Sequence, residues 1–443
     1  MMDKFYRESE KLLRFIERSP SCFHVVDQVS RMLEEKGFCY LSEHQKWQLR
    51  SGGKYYVTRN GSSVIAFQIP EGEAEGFHMI CSHTDSPSFK IKENPEMDSD
   101  RRYTKLNIEK YGGMICAPWF DRPLSVAGRI LVETGTGIQP VLVNVDRDLL
   151  IIPSVAIHMN RNVNDGYKYN IQTDLCPLFG EADQNGAFLK MVAEQAGVEE
   201  DTILGTDLFL YNRQKGTFLG NSREFIGSPK LDDLQCLYGS LQGFLAAVPA
   251  DSIAVFCAFD NEETGSVSRQ GAASTFLKET LKRINGGLGK DWEDYLRTLA
   301  NSFLVSADNA HAVHPNHQEL ADPVNRPQMN HGIVIKYNAN QKYTTDGIST
   351  AVFRNICRMA GVPCQVFTNR SDMAGGSTLG NISNTQVSVR AVDIGLAQLA
   401  MHSPYELAGS RDTWYLECAA EAFYRCSCRF TEKEIKVTCQ HVN

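Results

Sequence analysis

Apolar runs of a strand's length recur along this chain between stretches with helical periodicity, and that alternation restricts the fold more than any other feature. The runs are Tyr55 to Val57, Val64 to Ile69, Phe77 to Cys81, Ile253 to Phe259, Phe303 to Ser306 and Gln365 to Thr368. Short runs with few polar interruptions suit strands buried on both faces, as in a parallel sheet covered by helices. The segments between them fit that picture. Phe5, Leu12, Leu13, Phe15 and Ile16 fall near helical spacing up to Pro20, and Val25, Val26, Val29, Met32 and Leu33 form one stripe that stops at Gly37. Leu234 to Val248, Thr275 to Ile284 and Ala419 to Arg425 read as further helices. The expected class is α/β, with a helix-covered mixed, mainly parallel sheet.

Between Ile91 and Thr217 the texture changes. The β-branched runs Gly128 to Val132, Val141 to Val145 and Ile151 to Ile157 are set off by turn residues, with one helix near Ala187 to Ala196. This pattern predicts a β-rich domain over residues 92–217, inserted into an α/β domain formed by 1–91 and 218–443. Short strands offer edges that need covering, which points to subunit contacts there.

Charge and composition exclude several classes. With 45 Lys and Arg against 53 Asp and Glu, the formal charge of -8 argues against a nucleic-acid partner. No apolar stretch approaches the roughly 18 residues of a membrane span, and Met1 to Arg14 is too charged for a signal peptide. The 13 cysteines are scattered without a CxxC pair. They read as reduced and mostly structural, which implies a soluble protein of a reducing compartment, the cytoplasm.

The polar residues that end the strands carry the functional information. His83 and Asp85 follow Phe77 to Cys81, Glu262 and Glu263 follow Ile253 to Phe259, and Asp308 follows Phe303 to Ser306. In open α/β sheets, sites gather outside the carboxyl ends of strands. Taken singly, each piece has an ordinary explanation. Asp232-Asp233 suits a first helical turn, Glu262-Glu263 a solvated turn, and His402 a partly buried histidine. Together, His83, Asp232, Glu263, Asp308 and His402 supply mixed imidazole and carboxylate ligands for two divalent ions, with Glu262 left over as a base. Three carboxylates and a bridging hydroxide carry about four negative charges, matching two such ions. Cysteine is absent from the set, as suits a hydrolytic zinc site.

At this point the chain resembles the aspartyl aminopeptidases, co-catalytic di-zinc metallo-aminopeptidases, along essentially its whole length. The motifs are Cys81-Ser82-His83-Thr84-Asp85-Ser86-Pro87, Trp119-Phe120-Asp121-Arg122 with Ala127-Gly128-Arg129, and Pro229-Lys230-Leu231-Asp232-Asp233. Asp260-Asn261-Glu262-Glu263-Thr264-Gly265-Ser266, Ser306-Ala307-Asp308 with His311-Ala312-Val313-His314, and Ala400-Met401-His402-Ser403 complete them in family order. The resemblance implies a specific division of labour. His83 and Asp308 hold one zinc, Glu263 and His402 the other, and Asp232 bridges both. Asp85 orients His83, and Glu262 is the general base toward a metal-bridging hydroxide. His158, Glu262, Asp308, His311, Lys336 and Tyr343 contact substrate, and His311 is an extra donor to the oxyanion.

The resemblance further implies two Zn2+ per subunit, with Mn2+ or Co2+ as substitutes, and small peptide substrates with amino-terminal Asp or Glu. It implies a homo-oligomer in which dimers, joined through the inserted domain, build a tetrahedral dodecamer. Two positions depart from the family pattern: Asp233, where many relatives carry Asn, and Ala374-Gly375, where relatives often carry Pro-Cys. A carboxypeptidase or deacylase on the same di-metal fold is disfavoured by this motif set. A non-catalytic assembly protein that kept the fold would betray itself by a lost ligand or a lost Glu262, and none is lost.

Overall fold

The computed structural model describes residues 2–182, 184, 186–431 and 433–439. Its centre is a mixed sheet of 13 strands among the described residues. Four parallel strands form the middle, in the order Ser252–Phe259, Gly76–His83, Phe303–Ala307 and Arg390–Leu399. Antiparallel neighbours flank this block, Ser63–Gln68 beside Ser252–Phe259 and Ile333–Tyr337 beside Arg390–Leu399.

Every residue of Gly76–His83 and Ser252–Phe259 is buried, because helices cover both faces. Alternate side chains therefore enter two cores. Ile80, Ala254, Phe256, Val305 and Ile394 pack with the helices that carry Phe15, Val29, Leu237 and Phe423. Phe77, Met79, Val255, Phe259 and Leu304 pack on the other side with Phe276, Leu281 and Ile284. Helix Leu231–Ala246 is enclosed along most of its length. Gly243 lets it approach helix Asp412–Arg425 closely, since a Cβ there would stand 2.5 Å from the Ala420 Cβ. Phe256→Ala should cost about 3–5 kcal/mol, the loss of a ring plus the cavity it leaves, read as a lower denaturant midpoint.

A second, separate sheet is wholly antiparallel. Its order is Gly137–Asn144, Leu124–Thr134, Ile203–Asn212, Ser88–Ser99, Tyr103–Tyr111 and Leu178–Glu181. It has a core of its own around Phe89, Ile108, Trp119, Val126, Phe188 and Leu208. Helix Ala187–Ala196 lies against it.

Two expectations need correction. Ile151 to Ile157 is not a strand: only Ile151 makes an isolated bridge, to Leu178, and Val155 and Ile157 are exposed. Pro153 cannot donate to a ladder, so the chain leaves the sheet there. The cysteines are not all free thiols, because Cys426 and Cys439 are bonded to each other. They sit directly opposite in the closing hairpin Cys426–Phe430 and Ile435–Cys439, a register the spacing of the cysteines did not announce. No helix among the described residues is long and apolar enough to cross a membrane.

Candidate metal centre

The parallel block delivers its acids and histidines to one place. Strand Gly76–His83 ends on His83, the turn Glu262–Thr264 follows strand Ser252–Phe259, and Asp308 follows strand Phe303–Ala307. Asp232 and Asp233 open helix Leu231–Ala246 with non-helical backbone, so both side chains turn toward the strand ends instead of along the helix. His402 comes from the turn after Arg390–Leu399. Ligand atoms of His83, Asp232, Asp233 and Asp308 lie within 4.8 Å of one another, as do those of His83, Glu262 and Glu263, and those of Asp232, Glu263 and His402. Gly395 makes room on the Asp308 side, because a Cβ there would stand 2.0 Å from the Asp308 carbonyl oxygen.

Asp232 sits between the two imidazoles. Its Oδ1 is 3.4 Å from His83 Nε2 and its Oδ2 is 3.4 Å from His402 Nε2, while Glu263 Oε2 is 3.3 Å from the same His402 nitrogen. His83 Nδ1 is 3.0 Å from the Asp85 carbonyl oxygen. A carbonyl only accepts, so Nδ1 carries the hydrogen and the Nε2 lone pair faces the centre. The Asp85 carboxylate accepts the N–H groups of Glu262 and Glu263, each at 3.2 Å, and the Tyr111 hydroxyl at 2.7 Å. Asp85 thus fixes the two-glutamate turn through its carboxylate and the histidine through its carbonyl.

The cluster is short of positive charge. Burial works against the Asp232 carboxylate, yet His402 and His83 hold it below the ordinary range. Burial pushes Glu262 up to about 8, with Asp308 and Asp85 adding repulsion that His83 does not cancel. Burial also drives Asp233 and Glu263 well above the usual carboxylate range. Asp232 Oδ1, Asp233 Oδ1 and Glu263 Oε1 are buried without a hydrogen-bond partner among the described residues. Orphaned carboxylate oxygens converging with imidazole lone pairs are what divalent cations require, so this donor set fits zinc.

A family match decides what this centre belongs to. Residues 15–424 match the model for the aminopeptidase I zinc metalloproteases, M18. The chain belongs to the M18 family. Among its relatives, a probable M18 family aminopeptidase 2 of Clostridium acetobutylicum is 47% identical, over 94% of this chain and 98% of the relative. One from Ectopseudomonas mendocina is 40% identical over 93% and 97%. Ape4, solved by cryo-electron microscopy in complex with Nbr1, superposes with a TM-score of 0.93 at 35% identity, covering 96% of this chain and 86% of Ape4. The S. cerevisiae mApe1 dodecamer gives a TM-score of 0.84 at 28% identity, over 95% and 97%. As an M18 protein, this chain is a metallo-aminopeptidase, a zinc-dependent hydrolase.

Glu262 and Asp308 are part of the centre itself, and the other residues expected to contact substrate divide into three groups. Lys336, only 3% exposed, donates to the Asn309 carbonyl at 2.8 Å and stands 3.7 Å from Asp308 Oδ1, so it borders the centre. Burial disfavours its charge, but Asp308, with Tyr343 and Asp393, holds it above the ordinary lysine range. Tyr343 is buried with its ring 5.6 Å from the Lys336 nitrogen. His311, on the two-residue strand Ala310–His311, is exposed and leans on the Phe367 ring at 5.8 Å. A groove of about 310 Å³ beside it is lined by Phe367, Arg370, Met373, Gly375 and Met401, so the departing Ala374-Gly375 segment lies at its wall. His158 stands apart from all of these, in an exposed turn next to Ile157 and Met159.

Two residues of the centre were not singled out as ligands or supports by sequence. Asp233 joins the His83 group, where the sequence marked it only as a departure. Glu406 is buried directly behind Asp232 and His402 and touches the backbone of both. Nothing in Ser403-Pro404-Tyr405-Glu406 distinguishes it from a surface acid.

Proposed function

We propose that this chain is a di-zinc aminopeptidase that removes an amino-terminal residue, Asp or Glu by preference, from small peptides. His83 and Asp308 hold one ion, Glu263 and His402 the other, and Asp232 lies between them. Mn2+ or Co2+ can take their places. The observation that carries this reading is the pair of 3.4 Å approaches, one from each Asp232 oxygen to a different imidazole. Bound there, the ions supply the positive charge that polarises the scissile carbonyl and acidifies the attacking water.

The protein's own groups do the rest. Glu262 takes a proton from the attacking water and returns it to the leaving amine, a role that needs a carboxylate one residue from a ligand and fixed in place. Asp85 provides that fixation through the two amides of the turn. His311 donates toward the developing oxyanion, and the groove past Phe367 and Met373 takes the peptide.

Specificity is assigned to Lys336. An acidic side chain entering a net-negative protein needs a local cation, since charges further than about 8 Å are screened at physiological salt. Lys336 uses one of its three donors on Asn309 and keeps two for a substrate carboxylate, with Tyr343 beside it. A panel of aminoacyl amides on zinc-reconstituted enzyme tests this. Aspartyl and glutamyl substrates should lead, and Lys336→Leu should weaken them selectively by roughly 2–5 kcal/mol. Equal losses on acidic and neutral substrates would assign Lys336 to structure, and a preference for leucyl amides would refute the acidic specificity.

The same reading extends to assembly. We propose that residues 92–217 form the oligomerisation domain, pairing subunits into dimers that build a tetrahedral dodecamer. Support comes from Val155, Ile157 and Met159, which expose 59%, 48% and 84% of their surface around His158. An apolar turn of this kind calls for a partner. A related protein, mApe1 of S. cerevisiae, is a dodecamer. In this arrangement His158 reaches a neighbouring subunit's centre. Sedimentation should show a large particle, and a fully active monomer would contradict the proposal.

A further inference from the structure

Glu406 is 2% exposed, and both of its carboxylate oxygens are engaged. Oε2 accepts the N–H of Asp232 at 3.0 Å and Oε1 accepts the N–H of His402 at 2.8 Å. One side chain thus ties together two residues that are remote in sequence and both face the centre. The His402 backbone needs holding: its φ is +65°, and Ala400 two residues before it has φ +56°. Left-handed backbone at residues other than glycine is strained and persists only where neighbours fix it. Glu406 fixes the His402 N–H, and the N–H of Ile115 fixes its carbonyl at 3.1 Å.

The choice of a carboxylate for this task needs a reason. No Lys or Arg pairs with Glu406 among the described residues, while Asp232 lies against it. Two backbone N–H groups need two acceptor oxygens, which a carboxylate offers and an amide side chain, with one oxygen and one –NH2, does not. Asp85 plays the equivalent part on the opposite wall, accepting from Glu262 and Glu263. Two buried carboxylates therefore each clamp two residues of the cluster.

We propose that Glu406 is a positioning residue of the metal centre, locking Asp232 and His402 in one geometry through their backbone N–H groups. The inference rests on the two-metal reading above. Glu406→Gln keeps one acceptor but sets an amide –NH2 against the other backbone N–H. Zinc competition with a chromophoric chelator, on the full chain, should show its dissociation constant raised on the order of 10–100-fold. Metal-free stability should fall by far less than the zinc affinity does, since one of the two backbone bonds is kept. Glu406→Asp, which keeps the charge but is too short to span both amides, should also lose zinc affinity. Wild-type zinc affinity in either variant, or a loss of metal-free stability large enough to explain the weaker binding, would overturn the assignment. Failure of the two-metal reading looks different: there the wild-type protein itself takes up no zinc at this centre.

Discussion

Asp232→Ala should empty both metal positions at once and take hydrolysis below detection. The two oxygens of this one carboxylate face different imidazoles, so its loss removes a donor from each side. His402→Ala removes a donor from one side only, and it should leave one ion bound. Metal analysis of the purified variants separates the two outcomes. The fold should survive Asp232→Ala, because the deleted group is a buried charge whose Oδ1 has no hydrogen bond, and its backbone N–H remains held by Glu406. An Asp232→Ala protein that retained two zinc ions would place the centre elsewhere.

Glu262→Gln should give the complementary result. The side chain keeps its size, and the backbone N–H keeps its bond to Asp85. Zinc content should therefore match wild type. What is lost is the carboxylate that accepts and returns a proton, a contribution typically of 10²–10⁴-fold in turnover. The loss should appear in kcat with KM little changed, since the variant still binds peptide. Near wild-type turnover would remove Glu262 from the role of base.

Much of this centre is legible in the sequence because parallel strands end on one side of a sheet. An acid or histidine placed just after a buried apolar run must then lie near the others, as His83, Glu262, Glu263 and Asp308 do. Asp232 and His402 carry weaker local signals, one in a first helical turn and one in a loop, and the family motifs identified them. The strand Arg390–Leu399 was not read at all. Its apolar pattern is broken by Asp393, buried and accepting from Thr344 and Thr378, and by Gly395, required by the approach of Asp308. Both residues look like turn formers in one dimension and are explained only by what packs on them. Glu406 was invisible for a related reason. Its partners lie at positions 232 and 402, and only the folded sheet brings them together. His158 marks another limit, since an exposed turn does not declare which molecule covers it.

Two ions held by this cluster should be what makes the chain hydrolytic, and stepwise zinc reconstitution measures that dependence. The protein is stripped with a chelator, zinc is returned in steps, and bound metal and hydrolysis of an aspartyl amide are measured on the same samples. The rate should be negligible without metal, climb with bound zinc and level off at two ions per chain. Full activity in the stripped protein, or a maximal rate at one ion with no further gain, would contradict it.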